Sequence, residues 1–199
     1  MTTTTLSMLD QAELLQLALN ASAADDSGTA IAYLKEAVSR PDATSAAHYV
    51  LGAEYAQIKM YDRAVGEMEA ALALDPALSI ARLQLGLLWL TNGAAEQALT
   101  VFGPLADLAE DDPLRLFGIG LCHLIRDEFA DARALLAAGI AANTTNLPLN
   151  GDMQQMIGAI DAHLAGAAAA PLAQAAEPEA APEDAHRMLL SAYTGNTGH

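Results

Sequence analysis

The sequence has little of three things that would each point to a particular kind of function: cysteine, aromatic side chains and positive charge. Its 199 residues include a single cysteine, Cys122, which excludes an intrachain disulfide framework. Aromatic residues make up 5% of the chain, and the dominance of Ala and Leu favours helices over strands. Lys and Arg number 9 against 25 Asp and Glu, so the net charge of −16 disfavours nucleic acids and anionic membranes as ligands.

Long apolar runs are also lacking. The richest stretch, Leu78 to Leu90, is interrupted by Arg82 and Gln84 and is too short for a membrane span. The first residues, Met1 to Ser7, have no basic start and no apolar stretch, so they do not resemble a signal peptide. We therefore expect a cytoplasmic protein, and the alanine content favours a bacterial source.

What the sequence does contain is a repeat with a constant spacing of 34 residues. Gly52, Gly86 and Gly120 lie 34 residues apart, and Ala18 continues the series towards the N-terminus. Four further columns keep this register over four units without an insertion or a deletion. They are Leu17, Leu51, Leu85 and Ile119; Ala30, Ala64, Ala98 and Ala132; Leu34, Met68, Phe102 and Leu136; and, more loosely, Ala37, Ala71, Leu105 and Gly139.

The residue types in these columns indicate paired helices. A glycine inside a helix costs about 1 kcal/mol relative to alanine, so its recurrence at one phase needs a packing reason. A small residue on one helix that faces an alanine on the next lets two antiparallel helices approach closely. Turn-forming residues separate the segments, and the predicted helices are 8–22, 27–39, 44–57, 61–74, 77–91, 94–108, 112–126 and 129–142.

A ninth helix is predicted after the last repeat. Asp152 and Gln155 have the spacing of a capping box at its start. Its apolar residues form one stripe that would close the last hydrophobic face of the stack. The stripe consists of Met153, Met156, Ile157, Ile160 and Leu164.

The repeat resembles the tetratricopeptide repeat (TPR) family over roughly residues 8–146. The residues that carry the resemblance are Leu51-Gly52, Tyr55, Ala64 and Pro76 in the second unit, and Leu85-Gly86, Trp89, Ala98 and Phe102 in the third. The outer units depart from the pattern, with Ala18 in place of glycine and Thr144-Thr145 in place of the closing proline. The resemblance implies an all-α, right-handed superhelical solenoid of four helix pairs.

The predicted organisation is a TPR solenoid over residues 1–165 followed by a tail. The repeats are expected at about 11–44, 45–78, 79–112 and 113–146, with the capping helix at about 152–165. Residues 166–199 form an Ala/Pro/Glu-rich linker and flexible tail. Within the tail, 184–193 is a short apolar segment that is either an unstructured end or a docking helix.

The family resemblance also suggests where a partner binds, because the first helix of each TPR pair lines the concave surface. Apolar residues on that face predict a groove for an apolar helix or extended segment of a protein. The candidates are Tyr49, Ala53, Ile80, Leu83, Leu87, Leu90, Leu114, Phe117, Leu121 and Leu124. The alternatives are that the capping helix, the 184–193 segment or a second copy of the chain, as a homodimer, already fills the groove.

Two non-enzymatic functions follow from these features. The first is an adaptor or scaffold that binds protein partners. The second is a cytosolic chaperone for a hydrophobic secretion substrate, since type III translocator chaperones are similar in size, charge and apolar groove. The family members that bind a C-terminal carboxylate use basic residues, which this lining lacks.

No cofactor, metal site or catalytic residue is predicted. The histidines have no metal-ligand spacing on one helical face. Cys122 and His123 are adjacent in a helix and therefore point in different directions, which disfavours a nucleophile and base pair. The acidic run Glu110 to Asp112 is interpreted as the start of a helix rather than as a calcium loop.

Overall fold

The computed structural model describes residues 6–169, and of residues 167–169 only the backbone. That range contains nine α-helices and one short 3-10 helix, with no strand. They are α1 Gln11–Ala23, α2 Ser27–Val38, α3 Ser45–Gln57, α4 Tyr61–Leu74, α5 Ser79–Thr91, α6 Ala95–Phe102, the 3-10 helix Gly103–Asp107, α7 Pro113–Ile125, α8 Phe129–Ala142 and α9 Leu147–Ala169. The all-helical prediction is confirmed for these residues. The predicted segment 184–193 lies outside them.

The described chain divides into two compact units, and the boundary falls inside α5. The N-terminal unit ends at Leu88 and the C-terminal unit begins at Trp89. The single solenoid domain predicted over residues 1–165 therefore stays a prediction, and each unit is described by itself.

The N-terminal unit is built from consecutive antiparallel helices, with α1 packed on α2, α2 on α3 and α3 on α4. Leu14, Ala37 and Ala47 bring the first three of these helices together in one buried cluster. Gly52 explains how α3 and α4 approach each other. A Cβ atom on this residue would lie 3.1 Å from the Met68 side chain, so the glycine is what makes room for the facing helix.

The C-terminal unit repeats this arrangement, with α7 packed on α8 and α8 on α9. A Cβ on Gly120 would lie 3.2 Å from Leu136, at the positions equivalent to Gly52 and Met68. The close approach predicted from the glycine and large-residue columns is thus confirmed in both units. A second close approach lies further along the same pair, where a Cβ on Gly139 would be 2.5 Å from the Phe117 ring.

The turn inside each helix pair contains a residue in the left-handed region, and these residues also recur every 34 positions. They are Asp25, Lys59, Gly93 and Asp127, with φ of 56°, 60°, 74° and 59°. This column was missed in the sequence, although Gly93 and the two aspartates are types that tolerate this conformation. A lysine is strained there because its Cβ approaches the following carbonyl oxygen.

The starts of the second helices share one backbone geometry but not one capping interaction. Asp26, which precedes α2, accepts a hydrogen bond from the Thr29 backbone N–H at 3.0 Å. Met60 precedes α4 with nearly the same backbone angles, and no side chain caps that helix. The predicted start at Glu110 to Asp112 is confirmed, because Asp112 accepts from the Leu114 N–H at 2.8 Å.

The predicted helix 94–108 is corrected by the structure. Its α-helical part, α6, ends at Phe102, and the chain continues as a 3-10 helix over Gly103–Asp107. Pro104 lies at the start of this 3-10 segment. Proline has no backbone N–H and its ring clashes with the preceding turn of an α-helix, so it ends the regular ladder here.

The capping helix begins earlier than predicted. It starts at Leu147, and Asn146 caps it by accepting from the Leu149 N–H at 3.2 Å. The buried Asn143 carboxamide supports this start by donating to Asn150 Oδ1 at 2.8 Å. Asp152 and Gln155 therefore lie inside α9 and do not form the predicted capping box.

The apolar stripe of α9 packs as predicted over most of its length. The helix lies on α8, and Met153, Met156, Ile157 and Ile160 are buried. Leu164 is the exception, with 38% of its surface exposed. The helix thus covers α8 within the C-terminal unit.

Candidate functional site

The structure separates the ten predicted groove residues into two groups. Half of them are fully packed against other residues of the chain, and that they contact a partner stays a prediction. These are Leu83, Leu90, Phe117, Leu121 and Leu124, each at most 2% exposed. The other half are only partly buried, and that they contact a partner stays a prediction. These are Tyr49, Ala53, Ile80, Leu87 and Leu114.

The burial of the α7 residues has a clear cause in the C-terminal unit. The Phe117 ring occupies the space that a side chain at position 139 would otherwise take, and Gly139 leaves that space open. Leu105 in turn lies over Gly118, where a Cβ would be 2.7 Å from its Cδ1 atom. A helix that is apolar nearly all round is expected to be covered on all sides, and α7 follows that rule.

The first helices of the N-terminal unit retain apolar surface. On α3, Tyr49 and Ala53 are half-buried. The equivalent positions on α1, 34 residues earlier, are Leu15, which is half-buried, and Leu19, which is 43% exposed. Two half-buried residues of α5 complete the set: Leu87, at the same repeat position as Leu19 and Ala53, and Ile80. We call it the apolar face of the N-terminal unit: Leu15, Leu19, Tyr49, Ala53, Ile80 and Leu87.

Tyr49 is the one member of this face with a polar group. Its burial raises the pKa of the phenol above the ordinary value of 10.0, because the charged form loses solvation. The hydroxyl therefore stays neutral at physiological pH and can donate or accept one hydrogen bond. The residue thus adds one hydrogen-bonding group to the apolar face without adding charge.

Glu54, on α3, is a feature that sequence reasoning missed. It is 2% exposed, and its Oε2 atom accepts no hydrogen bond from any described residue. The repeat register gave a usable signal, because the equivalent residues of the third and fourth units are Leu88 and Cys122. A carboxylate at a position that is buried and apolar in a neighbouring unit is a departure worth testing.

The structure also places the residues considered for catalysis. Burial raises the pKa of the Cys122 thiol, and Arg126 opposes this shift only in part. The thiolate is thereby disfavoured, which is the opposite of what a nucleophilic cysteine requires. The Nδ1 atom of His123 shares a hydrogen bond with the carboxylate of Glu128, the residue that precedes α8.

Between residues 6 and 169, no three His, Cys, Asp or Glu side chains are grouped so as to hold a metal ion. His48 shares a 2.7 Å hydrogen bond with Glu67, which joins α3 to α4. None of the helices in the described range is long and apolar enough to cross a membrane.

Comparison with solved structures identifies the fold. The crystal structure of MamA aligns with a TM-score of 0.56 at 20% identity, covering 67% of this chain and 78% of MamA. MamA from residue 41 onwards, from Desulfovibrio magneticus RS-1, aligns with a TM-score of 0.58 at 16% identity, covering 96% and 99%. YrrB, a TPR protein with an unusual peptide-binding site, aligns with a TM-score of 0.56 at 18% identity, covering 94% and 88%.

These likenesses show that the chain has a tetratricopeptide-type fold, as the 34-residue repeat predicts. At 16–20% identity these similarities support the fold and not a shared function. The sequence matches no protein-family model and no curated protein.

Proposed function

We propose that this tetratricopeptide-type chain is a protein-interaction module, acting as an adaptor or scaffold. Its binding site is the apolar face of the N-terminal unit, and its ligand is a segment of a partner protein. The single observation that carries the proposal is the accessible apolar surface on successive first helices, of which Leu19 at 43% exposure is the most open part. Exposed apolar surface on a charged protein is typical of a binding site.

The geometry of the face favours a linear segment over a folded domain. Five of the six residues of the face recur at two equivalent positions of consecutive helix pairs, so successive side chains of an extended or helical segment meet similar apolar contacts. YrrB, a protein of the same fold, has a peptide-binding site. That neighbour supports a peptide ligand only by analogy of fold, whereas the apolar face belongs to this sequence.

Affinity capture followed by a binding measurement tests the proposal. Wild-type protein would be compared with Leu19→Glu, which places a charge on the apolar face, and with the control Leu74→Glu. Leu74 is 55% exposed on α4, a second helix of the same unit, so the control makes the same chemical change off the face. Circular dichroism checks the fold of each variant, and the captured protein is then purified for Kd measurements.

We expect the Kd to rise at least about tenfold in Leu19→Glu, because a desolvated charge in an apolar contact costs more than about 1.4 kcal/mol. The Kd of Leu74→Glu should be unchanged. Equal binding by all three proteins would show that the partner binds elsewhere. The nature of the partner separates the two functions considered. A natively folded partner bound through a short segment identifies an adaptor, and an aggregation-prone substrate kept soluble by co-expression identifies a chaperone.

A further inference from the structure

We propose that Glu54 selects the partner, by pairing with a Lys or Arg side chain of the segment bound on the apolar face of the N-terminal unit. The inference rests on the proposed function and adds the chemistry of the ligand. The partner segment is then apolar with one basic residue at a fixed position. The cation comes from the partner, since no ion pair within residues 6–169 includes Glu54.

One oxygen of the Glu54 carboxylate lacks a hydrogen-bond donor. Glu54 is 2% exposed, and its Oε2 atom is buried without a hydrogen-bond donor. Buried charges in proteins are paired or hydrogen-bonded, because the interior does not replace the solvation that water provides. Among residues 6–169 no ion pair includes Glu54, so the folded chain carries an acceptor that a cation would satisfy.

Three of the five basic residues of the same unit, its arginines, are engaged elsewhere. Arg40 donates to the carbonyl oxygens of Leu6 and Leu9 and pairs with Glu36. The other two arginines are also engaged. Arg63 lies over the Tyr55 ring at 5.7 Å, and Arg82 donates to the Pro76 carbonyl at 2.7 Å.

The position of Glu54 on its helix also supports the pairing. Val50, Ala53, Glu54 and Gln57 have the i, i+3, i+4, i+7 spacing that places side chains on one side of an α-helix. Val50 and Ala53 are half-buried and Gln57 is exposed, so this side of α3 reaches the surface. Ala53 itself belongs to the apolar face. Glu54 itself is 2% exposed, so a long basic side chain that enters beside this small residue reaches the carboxylate by displacing the side chains that cover it, while its methylene groups stay on apolar surface.

The charge of the unit favours such a ligand. Up to Leu88 the sequence has five Lys or Arg against eleven Asp or Glu, so the unit has a net charge of −6. This field attracts a basic segment over long range and accelerates its association. Burial of the pair then determines which segments stay bound.

A phage-displayed library of random peptides tests the inference with the full chain as bait. The baits are wild type, Glu54→Gln, which keeps the shape and removes the charge, and the control Glu69→Gln. Glu69 is exposed on α4 of the same unit, so its variant has the same change of net charge without touching the apolar face. Glu54→Leu, which installs the residue found at the equivalent position 88, is a fourth bait in case the amide is poorly tolerated.

We expect wild type and Glu69→Gln to enrich apolar peptides with Lys or Arg at one position, and both Glu54 variants to enrich apolar peptides without it. For an enriched peptide, replacing its basic residue by Met should raise the Kd about tenfold or more with wild type and less than about twofold with Glu54→Gln.

Two other results would overturn the inference, and they differ in what they say about the proposed function. Apolar peptides bound without a basic preference, or with a preference that survives in the Glu54 variants, would refute the role of Glu54 and leave the apolar face standing. If wild type enriched no peptide at all, both the apolar face and the pairing with Glu54 would be wrong.

Discussion

Helices α3 and α7 are the first helices of the second and fourth repeats, and residues at the same repeat positions differ in burial between them. On α7, Phe117 and Leu121 are fully buried. On α3, the equivalent residues Tyr49 and Ala53 are half-buried. Membership in an apolar column therefore does not decide whether a residue is surface or core. Between these two repeats the difference lies in the residue that the facing second helix presents.

The residue on the second helix that faces this position is not the same in the two repeats. Opposite Phe117 the second helix has Gly139, and the ring occupies the volume that a Cβ would need. At the equivalent position of the N-terminal unit the second helix has Ala71, which is itself fully buried. An alanine there occupies the space that the C-terminal unit gives to a phenyl ring, so the aromatic residue of α3 stays nearer the surface.

The largest effect that would sharpen this comparison is expected from truncating the two aromatic residues. Phe117→Ala should destabilise the protein by about 3–5 kcal/mol, because it empties a closed core site. Tyr49→Ala should cost only about 1–2 kcal/mol, since a half-buried side chain loses less burial. Urea unfolding followed by circular dichroism measures both. Equal losses would mean that the two positions are packed alike and that the comparison fails.

A smaller effect is expected from filling the glycine opposite the ring. Gly139→Ala places a Cβ 2.5 Å from a buried ring atom that has no room to move, and should cost about 1–3 kcal/mol. Gly158→Ala on α9 is the matched control, because nothing lies within 4 Å of its Cβ. That change should stabilise the helix by about 0.5–1 kcal/mol. If the two substitutions shifted the urea midpoint in the same direction, close packing at Gly139 would not explain the burial of Phe117.

The smallest effect concerns the helix starts, where the first and second repeats differ. Asp26 caps its helix, whereas Met60 does not, although both have the same backbone conformation. Met60→Asp should therefore stabilise the N-terminal unit by about 1 kcal/mol, and Asp26→Ala should destabilise it by a similar amount. The thermal midpoints of the two variants should move in opposite directions. A Met60→Asp variant no more stable than wild type would show that α4 is held by packing alone.

Much of the fold could be predicted from the sequence because it depends on local, periodic signals. The positions of Gly52 and Gly120 correctly indicated where paired helices approach each other. The break after Phe102 also had a local signal, Pro104, which the periodic pattern outweighed. The start of α9 could not be predicted from the Asp152 and Gln155 spacing, since Asn143, Asn146 and Asn150 compete for that role through contacts seen only in three dimensions.

The candidate site was less predictable, for a physical reason. The apolar columns were identified with the right register, but Leu83, Phe117, Leu121 and two further groove candidates are core residues. Hydrophobicity indicates that a side chain avoids water without indicating whether the protein or a partner covers it. Glu54 was missed because the cost of a carboxylate depends on its burial, which no single-residue property reports.

By itself, the sequence determined the helix pairs, their 34-residue period and the small residues at their contacts, since these follow from backbone propensity and helical spacing. Only the tertiary structure decided which apolar positions stay accessible and which carboxylate is buried. Those outcomes depend on the volume left by residues distant in the chain, such as the space at Gly139 that accepts the Phe117 ring. Packing depends on two elements at once, whereas the repeat pattern is a property of each segment alone. For that reason the pattern predicts the fold but not which residues of the site are accessible.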